Sequence, residues 1–273
     1  MARVLVNGAA DDRVSALDRG LAYGDGVFET IRWRNGVAPL WSRHLARLRE
    51  GCARLGLARP DPAVLARDAA EVVGDERDAV VKIIVTRGPA ERGYAPVADR
   101  PVTRIVAAFP TPDLPAAWYV EGIRVRCCDL RLAAQPALAG IKHLNRLEQV
   151  LARAEWTDAT LVEGLLFDQA DHLVSATAAN VFVASGGRLL TPALTACGVA
   201  GVMRAALLDA LPATAIRAIG RDELTHADEV FLTSSVRGVL PVRAIDGRAY
   251  RVGALARAAQ ACWHGLGFDG GPT

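Results

Sequence analysis

Pro110, Pro112 and Pro115 crowd one short polar stretch of the chain, Pro110-Thr111-Pro112-Asp113-Leu114-Pro115. Each proline fixes φ, removes a backbone donor and pushes the residue before it towards extended backbone. Neither a helix nor a central strand can run through such a segment. Regular structure must therefore be built on either side, and the chain divides near 110–120. With 273 residues, there is material for two domains of ordinary size. We place one at 1–115 and a larger one at 116–273.

Strands and helices are legible on both sides. Residues 3–6 read as a strand turning at Asn7-Gly8. Trp41, Leu45, Leu48, Cys52 and Leu55 recur at three and four, one buried helical stripe with Ser42 as N-cap. Asp61-Pro62 starts a helix that runs to about Gly74. Residues 79–86 and 103–109 are strands, and period two puts Val80, Lys82, Ile84 and Thr86 on one face. Beyond the prolines come strands at 122–127 and 161–168, then a hairpin, 181–184 with 188–190, around Ser185-Gly186-Gly187. A glycine loop, 198–201, opens a helix around 205–211, a pattern that offers free N–H groups to an anion. A strand at 230–233 ends at Ser234-Ser235. The mixture is α/β.

Composition excludes several classes. Apolar residues make up 51% and charged residues 23%, with a net charge of +2, which gives no electrostatic case for nucleic acid or a membrane surface. No apolar run reaches spanning length and no signal-like segment opens the chain, so a cytoplasmic protein is expected. The five cysteines lack C-x-x-C spacing, and Cys127 and Cys128 face opposite ways in a strand-like run. No metal site is expected.

Of 32 lysines and arginines, Lys82 and Lys142 are the only lysines. Arginine meets the need for surface charge elsewhere, so the chemistry of a primary amine is the question where lysine persists: it condenses with an aldehyde, as a guanidinium does not. Lys142 stands after Gly140, where Leu144, Leu147, Val150, Leu151 and Ala154 follow at helical spacing. A loop-to-helix junction of this kind lowers an amine pKa. Lys82 reads as an edge-strand lysine with its amine turned to water.

Gly140-Ile141-Lys142-His143-Leu144-Asn145-Arg146-Leu147-Glu148-Gln149-Val150 closely resembles the cofactor-lysine segment of the 4-amino-4-deoxychorismate lyases. These belong to the fold-type IV pyridoxal-phosphate family, with the branched-chain and D-amino acid aminotransferases. The likeness runs from about Val6 to Val242 with the motifs in the family's order. It implies a smaller α+β N-terminal domain, a larger β-rich C-terminal domain carrying Lys142, pyridoxal 5'-phosphate between the two, and a homodimer.

The same resemblance assigns roles. His44-Leu45-Ala46-Arg47-Leu48 matches a segment whose arginine, here Arg47, binds the cofactor phosphate. In Tyr23-Gly24-Asp25-Gly26-Val27-Phe28-Glu29, Tyr23 becomes a substrate contact; Phe28 is either site wall or core, and we read it as core. Arg87-Gly88-Pro89-Ala90-Glu91-Arg92-Gly93-Tyr94 resembles a substrate-side loop, with Arg92 and Tyr94 near the substrate. Lys82 corresponds to a lysine of the lyases that suits a substrate carboxylate. Gly201, Val202 and Met203 match a loop whose N–H groups hold phosphate, and Ser234 and Ser235 fall where relatives carry small or hydroxyl residues near it.

One position departs from the family. In Val174-Ser175-Ala176-Thr177-Ala178-Ala179-Asn180-Val181-Phe182, Ser175 replaces the glutamate that pairs with the cofactor's ring nitrogen. A carboxylate keeps that nitrogen protonated and the ring a stronger electron sink; a hydroxyl does so less well. Transamination needs that sink more than a reaction whose product becomes aromatic. The expected activity is cleavage of 4-amino-4-deoxychorismate to 4-aminobenzoate and pyruvate, a step of folate biosynthesis, with Lys142 as base. The alternatives are an aminotransferase of D-amino or branched-chain acids and a cofactor-binding protein without catalysis.

Overall fold

The computed structural model describes residues 3–96 and 101–268 and falls into two compact units. The first comprises Met1–Pro112 together with Ile141–Asn145. Its strands are β1 (Arg3–Val6), β2 (Ala9–Ala10), β3 (Gly26–Trp33), β4 (Ala79–Thr86) and β5 (Thr103–Phe109). They form an antiparallel sheet in the order β2-β1-β5-β4-β3. The helices are α1 (Arg19–Tyr23), α2 (Trp41–Arg54) and α3 (Pro62–Val73).

Alternation decides which sheet face is covered. Val27 and Ile31 of β3, Val81, Ile83 and Val85 of β4, and Val106 of β5 are buried against Leu45, Leu48 and Cys52 of α2 and Leu65, Ala69, Val72 and Val73 of α3. The opposite face carries Lys82 and Phe28, both half-buried. Asp61 caps α3 as expected, accepting from the Ala63 N–H at 2.8 Å. Ser42 does not cap α2. That helix begins at Trp41, after Leu40, without a side-chain cap, so Ser42 lies inside its first turn.

Ile141–Asn145 corrects the single cut at 115/116, which put Lys142 in the second domain. Ile141 is buried in the first unit's core. Phe28 N–H donates to the Lys142 carbonyl at 2.9 Å and Leu144 N–H to the Gly26 carbonyl at 3.0 Å. The edge of β3 has unpaired backbone groups to offer, and this segment takes them. Gly51 of α2 leaves the room: a Cβ there would lie 3.2 Å from Cγ2 of Ile141.

The second unit is Asp113–Gly140 with Arg146–Thr273. Its elements are α4 (Ala116–Val120), β6 (Ile123–Leu132), α5 (Leu147–Arg153), β7 (Leu161–Asp168), β8 (Leu173–Ala176), β9 (Asn180–Ser185), β10 (Arg188–Pro192), α6 (Val202–Ala210), β11 (Ala215–Arg217), α7 (Arg221–Thr225), β12 (Glu229–Ser234), β13 (Gly238–Ile245), β14 (Arg248–Ala249) and α8 (Ala254–Trp263). The strands make one mixed sheet in the order β11-β10-β9-β12-β13-β6-β7-β8, with β14 on β13. The β9–β10 hairpin turns at Gly186 and Gly187, both at positive φ, as a two-residue turn of matching twist requires. Phe167, Val181, Val183, Val230, Leu232, Leu240 and Val242 are among its core residues.

Helix α5 differs from its reading. Its N-terminus is Leu147, five residues past Lys142, so Lys142 does not sit at a helix start. Leu147, Val150 and Leu151 are 75%, 60% and 61% exposed. The helix is held instead by buried Ala152 and by Glu148, which accepts from the Ala133 N–H at 2.9 Å.

Candidate active site

In the first unit, Lys142 follows Ile141 in an extended segment, and its position is set by the backbone bond to Phe28. Its Nζ lies 4.3 Å from the centroid of the Phe28 ring. Lys82 Nζ lies 5.5 Å from the same centroid. Phe28 is therefore a wall for two amines rather than core. A cation over an aromatic face is attracted by the ring quadrupole. Asn145 extends the anchor, its Nδ2 donating to the Gly24 carbonyl at 3.3 Å.

On the other side of β3, Glu29 is fully buried. Arg47 of α2 donates to it through Nε (2.8 Å) and Nη2 (2.5 Å). His44, one helical turn earlier, brings Nδ1 within 2.6 Å of the same carboxylate. Burial alone would raise the Glu29 pKa, but Arg47 and His44 more than offset this and hold it below its usual range. Burial lowers the His44 pKa, with the Arg47 and Lys142 charges acting the same way against the pull of Glu29. The trio is thus a carboxylate, a guanidinium and a neutral imidazole whose Nε2 is buried without a hydrogen-bond partner. Glu29 fixes the plane of the Arg47 guanidinium before any ligand arrives.

A second buried cluster organises the substrate-side loop. Asp25 accepts from Arg19 Nε at 2.8 Å and from Arg87 Nε at 2.7 Å. Burial would raise its pKa; the two arginines hold it lower. Arg19 also donates to the carbonyls of Gly93 (2.7 Å) and Tyr94 (3.1 Å), tying residues 93–94 to α1. Tyr23 joins them: its hydroxyl accepts from the Gly93 N–H at 3.2 Å, and its ring lies 5.3 Å from that of Tyr94. Tyr23, Arg92 and Tyr94 belong to this one corner, with Arg92 exposed and Tyr94 85% exposed.

In the second unit, α6 opens at Gly201 without a side-chain cap. Its first helical bond is Ala205 N–H to the Gly201 carbonyl, 2.9 Å, so the N–H groups of Val202 and Met203 have no acceptor within the helix. Arg204 is buried beside them, donating to Thr191 Oγ1 (3.2 Å) and the Pro192 carbonyl (3.0 Å), both neutral. Asn180 packs so tightly on Gly201 that a Cβ there would fall 1.9 Å from its Oδ1. Thr233 lies directly across from Asn180, and its Oγ1 is buried without a partner. Ser234 accepts from the Arg237 N–H at 3.1 Å, and Ser235 follows in the turn. Ser175 is buried on β8, opposite Leu166.

These groups suit pyridoxal phosphate. A helix start, a buried guanidinium among neutral acceptors and an unpartnered hydroxyl favour a phosphate in the second unit. A half-buried lysine amine favours an aldehyde in the first. Among the described residues, no three His, Cys, Asp or Glu side chains gather to hold a metal. Sequence reasoning missed Glu29, His44 and Thr233, and read Phe28 as core. Glu29 alone carried a signal, being a carboxylate at the inward parity of β3 between Val27 and Ile31.

Residues 26–245 match the family described as Amino-transferase class IV. The chain is 34% identical to aminodeoxychorismate lyase of Vibrio harveyi over 88% of its own length and 90% of that protein's. It is 32% identical to D-alanine aminotransferase of Bacillus licheniformis, covering 92% and 91% of the two chains. Among solved structures, 4-amino-4-deoxychorismate lyase from Pseudomonas aeruginosa superposes with a TM-score of 0.90 at 47% identity, over 94% of this chain and 97% of that one. The branched-chain amino acid aminotransferase of Escherichia coli superposes with a TM-score of 0.84 at 25% identity, covering 96% and 93%.

Proposed function

The chain belongs to the class IV aminotransferase family, and on that premise we propose that it is a pyridoxal-phosphate-dependent lyase converting 4-amino-4-deoxychorismate to 4-aminobenzoate and pyruvate in folate biosynthesis. The observation that carries the choice within the family is the 47% identity, over nearly the whole chain, to a structure of that lyase. Ser175 in place of the family's glutamate supports it. The second reading, an aminotransferase of D-amino or branched-chain acids, draws on the 32% identity to a D-alanine aminotransferase.

Pyridoxal phosphate, when bound, supplies an aldehyde for the substrate amine and a ring that draws electrons from the carbon bearing it. Lys142 is the residue to hold that aldehyde before substrate arrives. Arg47, fixed by Glu29, and the N–H groups of Gly201, Val202 and Met203, with the hydroxyls of Ser234 and Ser235, would hold the phosphate. Ser175 would face the ring nitrogen. Tyr23, Lys82, Arg92 and Tyr94 would meet the substrate, whose two carboxylates suit the cations among them.

Lys142 Nζ, as general base, takes the hydrogen from the amino-bearing ring carbon. The electron pair left behind expels the neighbouring enolpyruvyl oxygen, and the substrate ring becomes aromatic. The proton leaves with the three-carbon fragment, which becomes pyruvate. Atoms balance without water or oxidant, and no amino acceptor is consumed.

We also propose a cytoplasmic homodimer. The exposed apolar residues Leu147, Val150 and Leu151 of α5 give a second copy a surface to cover. The deciding experiment supplies 4-amino-4-deoxychorismate to the PLP-loaded protein with no keto acid present. Equal pyruvate and 4-aminobenzoate over many turnovers, lost in Lys142→Ala, are expected. No product, with amino transfer to 2-oxoglutarate instead, would establish the second reading.

A further inference from the structure

Two turns leave the sheet of the second unit at one end, because Thr233, next to last in β12, pairs with Asn180, the first residue of β9. One turn, 177–179, follows β8 and its Ser175; the other, 235–237, follows Ser234 and contains Ser235. Both reach Glu163 of β7, which is 2% exposed. Thr177 donates its hydroxyl to one Glu163 oxygen, and Arg237 donates through Nη2 to the other. The Thr177 N–H also donates to the Gly164 carbonyl at 3.0 Å, so the first turn is fastened to β7 by backbone as well. A carboxylate buried this deeply needs partners at its oxygens, and the two turns supply them.

Arg237 is held through its backbone too. Its N–H donates to Ser234 Oγ at 3.1 Å, and its carbonyl accepts from the Tyr119 hydroxyl at 2.9 Å. Gly238 follows at φ 68°, where a Cβ would fall 2.3 Å from Cε2 of Trp263. Tyr119 and Trp263 thus fix the turn on one side and Glu163 on the other. An exposed ion pair would add little here, but the Glu163 side chain is 3% exposed and does not wander. The Ser234 hydroxyl accepts from Arg237, so its hydrogen is the group it has to offer an anion.

We propose that Arg237 is a positioning residue for phosphate binding: Glu163 holds its guanidinium, and through it the turn from which Ser234 and Ser235 present their hydroxyls. The inference rests on the reading that these serines hold the phosphate of pyridoxal phosphate. It goes beyond that reading because Arg237 acts through the turn and need touch neither cofactor nor substrate. A hydroxyl serves an anion best when its place is fixed beforehand, since ordering a loop on binding subtracts from affinity.

Pyridoxal, which has the aldehyde and ring of the cofactor but no phosphate, separates a role at the phosphate from a role in the fold. Full-length protein freed of cofactor is titrated with pyridoxal phosphate and, separately, with pyridoxal, and absorbance reads both affinities. Arg237→Met should weaken pyridoxal phosphate about tenfold, the scale of one hydrogen bond to a charged group, and leave pyridoxal as in the parent. That variant strands the Glu163 carboxylate, and a melting curve will reveal whether it folds. The double variant Glu163→Met, Arg237→Met removes both charges, keeps apolar bulk in their place and should show the same selective loss. Equal losses for the two aldehydes, or no loss for pyridoxal phosphate, would overturn the inference. Ser234→Ala combined with Ser235→Ala is titrated beside them. A selective loss there without one at Arg237 overturns this inference and leaves the proposed phosphate site standing. No selective loss in any variant overturns it too, and removes the serines from that site.

Discussion

Glu29 occupies a position whose neighbours at the same parity, Val27 and Ile31, are buried apolar side chains. A carboxylate persists there because Arg47 and His44 meet its oxygens. Removing one partner of such a buried pair costs about 3–5 kcal/mol. Glu29→Gln should therefore lower the melting temperature and free the Arg47 guanidinium to reorient, with pyridoxal phosphate bound at least about tenfold more weakly in an absorbance titration. Unchanged affinity would mean that Arg47 is not the phosphate clamp. Acid acts on the same trio. Glu29 and His44 both titrate below their ordinary values of 4.5 and 6.5 in the folded chain. The unfolded chain thus takes up protons first as pH falls, and stability present above those values is lost below them. The melting temperature should begin to drop just below the ordinary histidine value, and His44→Gln should flatten that first part of the curve. Ser175 is tested in the opposite sense: Ser175→Glu should raise amino transfer relative to lysis, and no gain would sink the electron-sink argument. The place of Arg47 on α2 is legible in the sequence because a helical stripe carries it. Glu29 and His44 are not, since their pairing across β3 and α2 is a tertiary fact.

The well-read elements are those whose signals are local. Strand β4 is a β-branched run ended by Arg87-Gly88, and α3 lies between Asp61-Pro62 and Gly74 at positive φ. The α5 stripe shows where such signals stop. Spacing reveals that Leu147, Val150 and Leu151 share a face, but not whether that face turns inward, and here it is exposed. Three exposed aliphatic side chains on a seven-residue helix are an incentive to associate. If a second copy covers them, Leu151→Glu should shift the protein from dimer to monomer in sedimentation at a given concentration. The far-ultraviolet circular dichroism of the subunit should stay unchanged. A variant that remains a dimer would move the interface elsewhere.

At the scale of the molecule, a division near the prolines is legible, but the fate of 141–145 is not, because it depends on a strand edge more than a hundred residues earlier in the chain. The chain enters this segment from Gly140 and leaves it at Arg146, both in the second unit, yet its five residues pack with the first. Among its anchors are the apolar side chain of Ile141, 3% exposed, the backbone bonds of Lys142 and Leu144 to β3, and the Asn145 bond to Gly24. Replacing Ile141 by Ala removes the first of these at a cost of about 2–5 kcal/mol. The loss should open this seam before the rest of the fold, since local openings draw on local contacts. Hydrogen exchange can watch it. The Phe28 and Leu144 amides, bonded across the seam, should exchange faster in Ile141→Ala. The amides of Gly140 and Ala200, which bond to the Gly198 and Gly140 carbonyls within the second unit, should keep their protection. Pyridoxal phosphate should be retained less well in the same variant, because the lysine proposed to hold it is positioned by that seam. Equal acceleration of all four amides would show that the segment opens with the second unit, and would return Lys142 to the domain its sequence neighbours suggest.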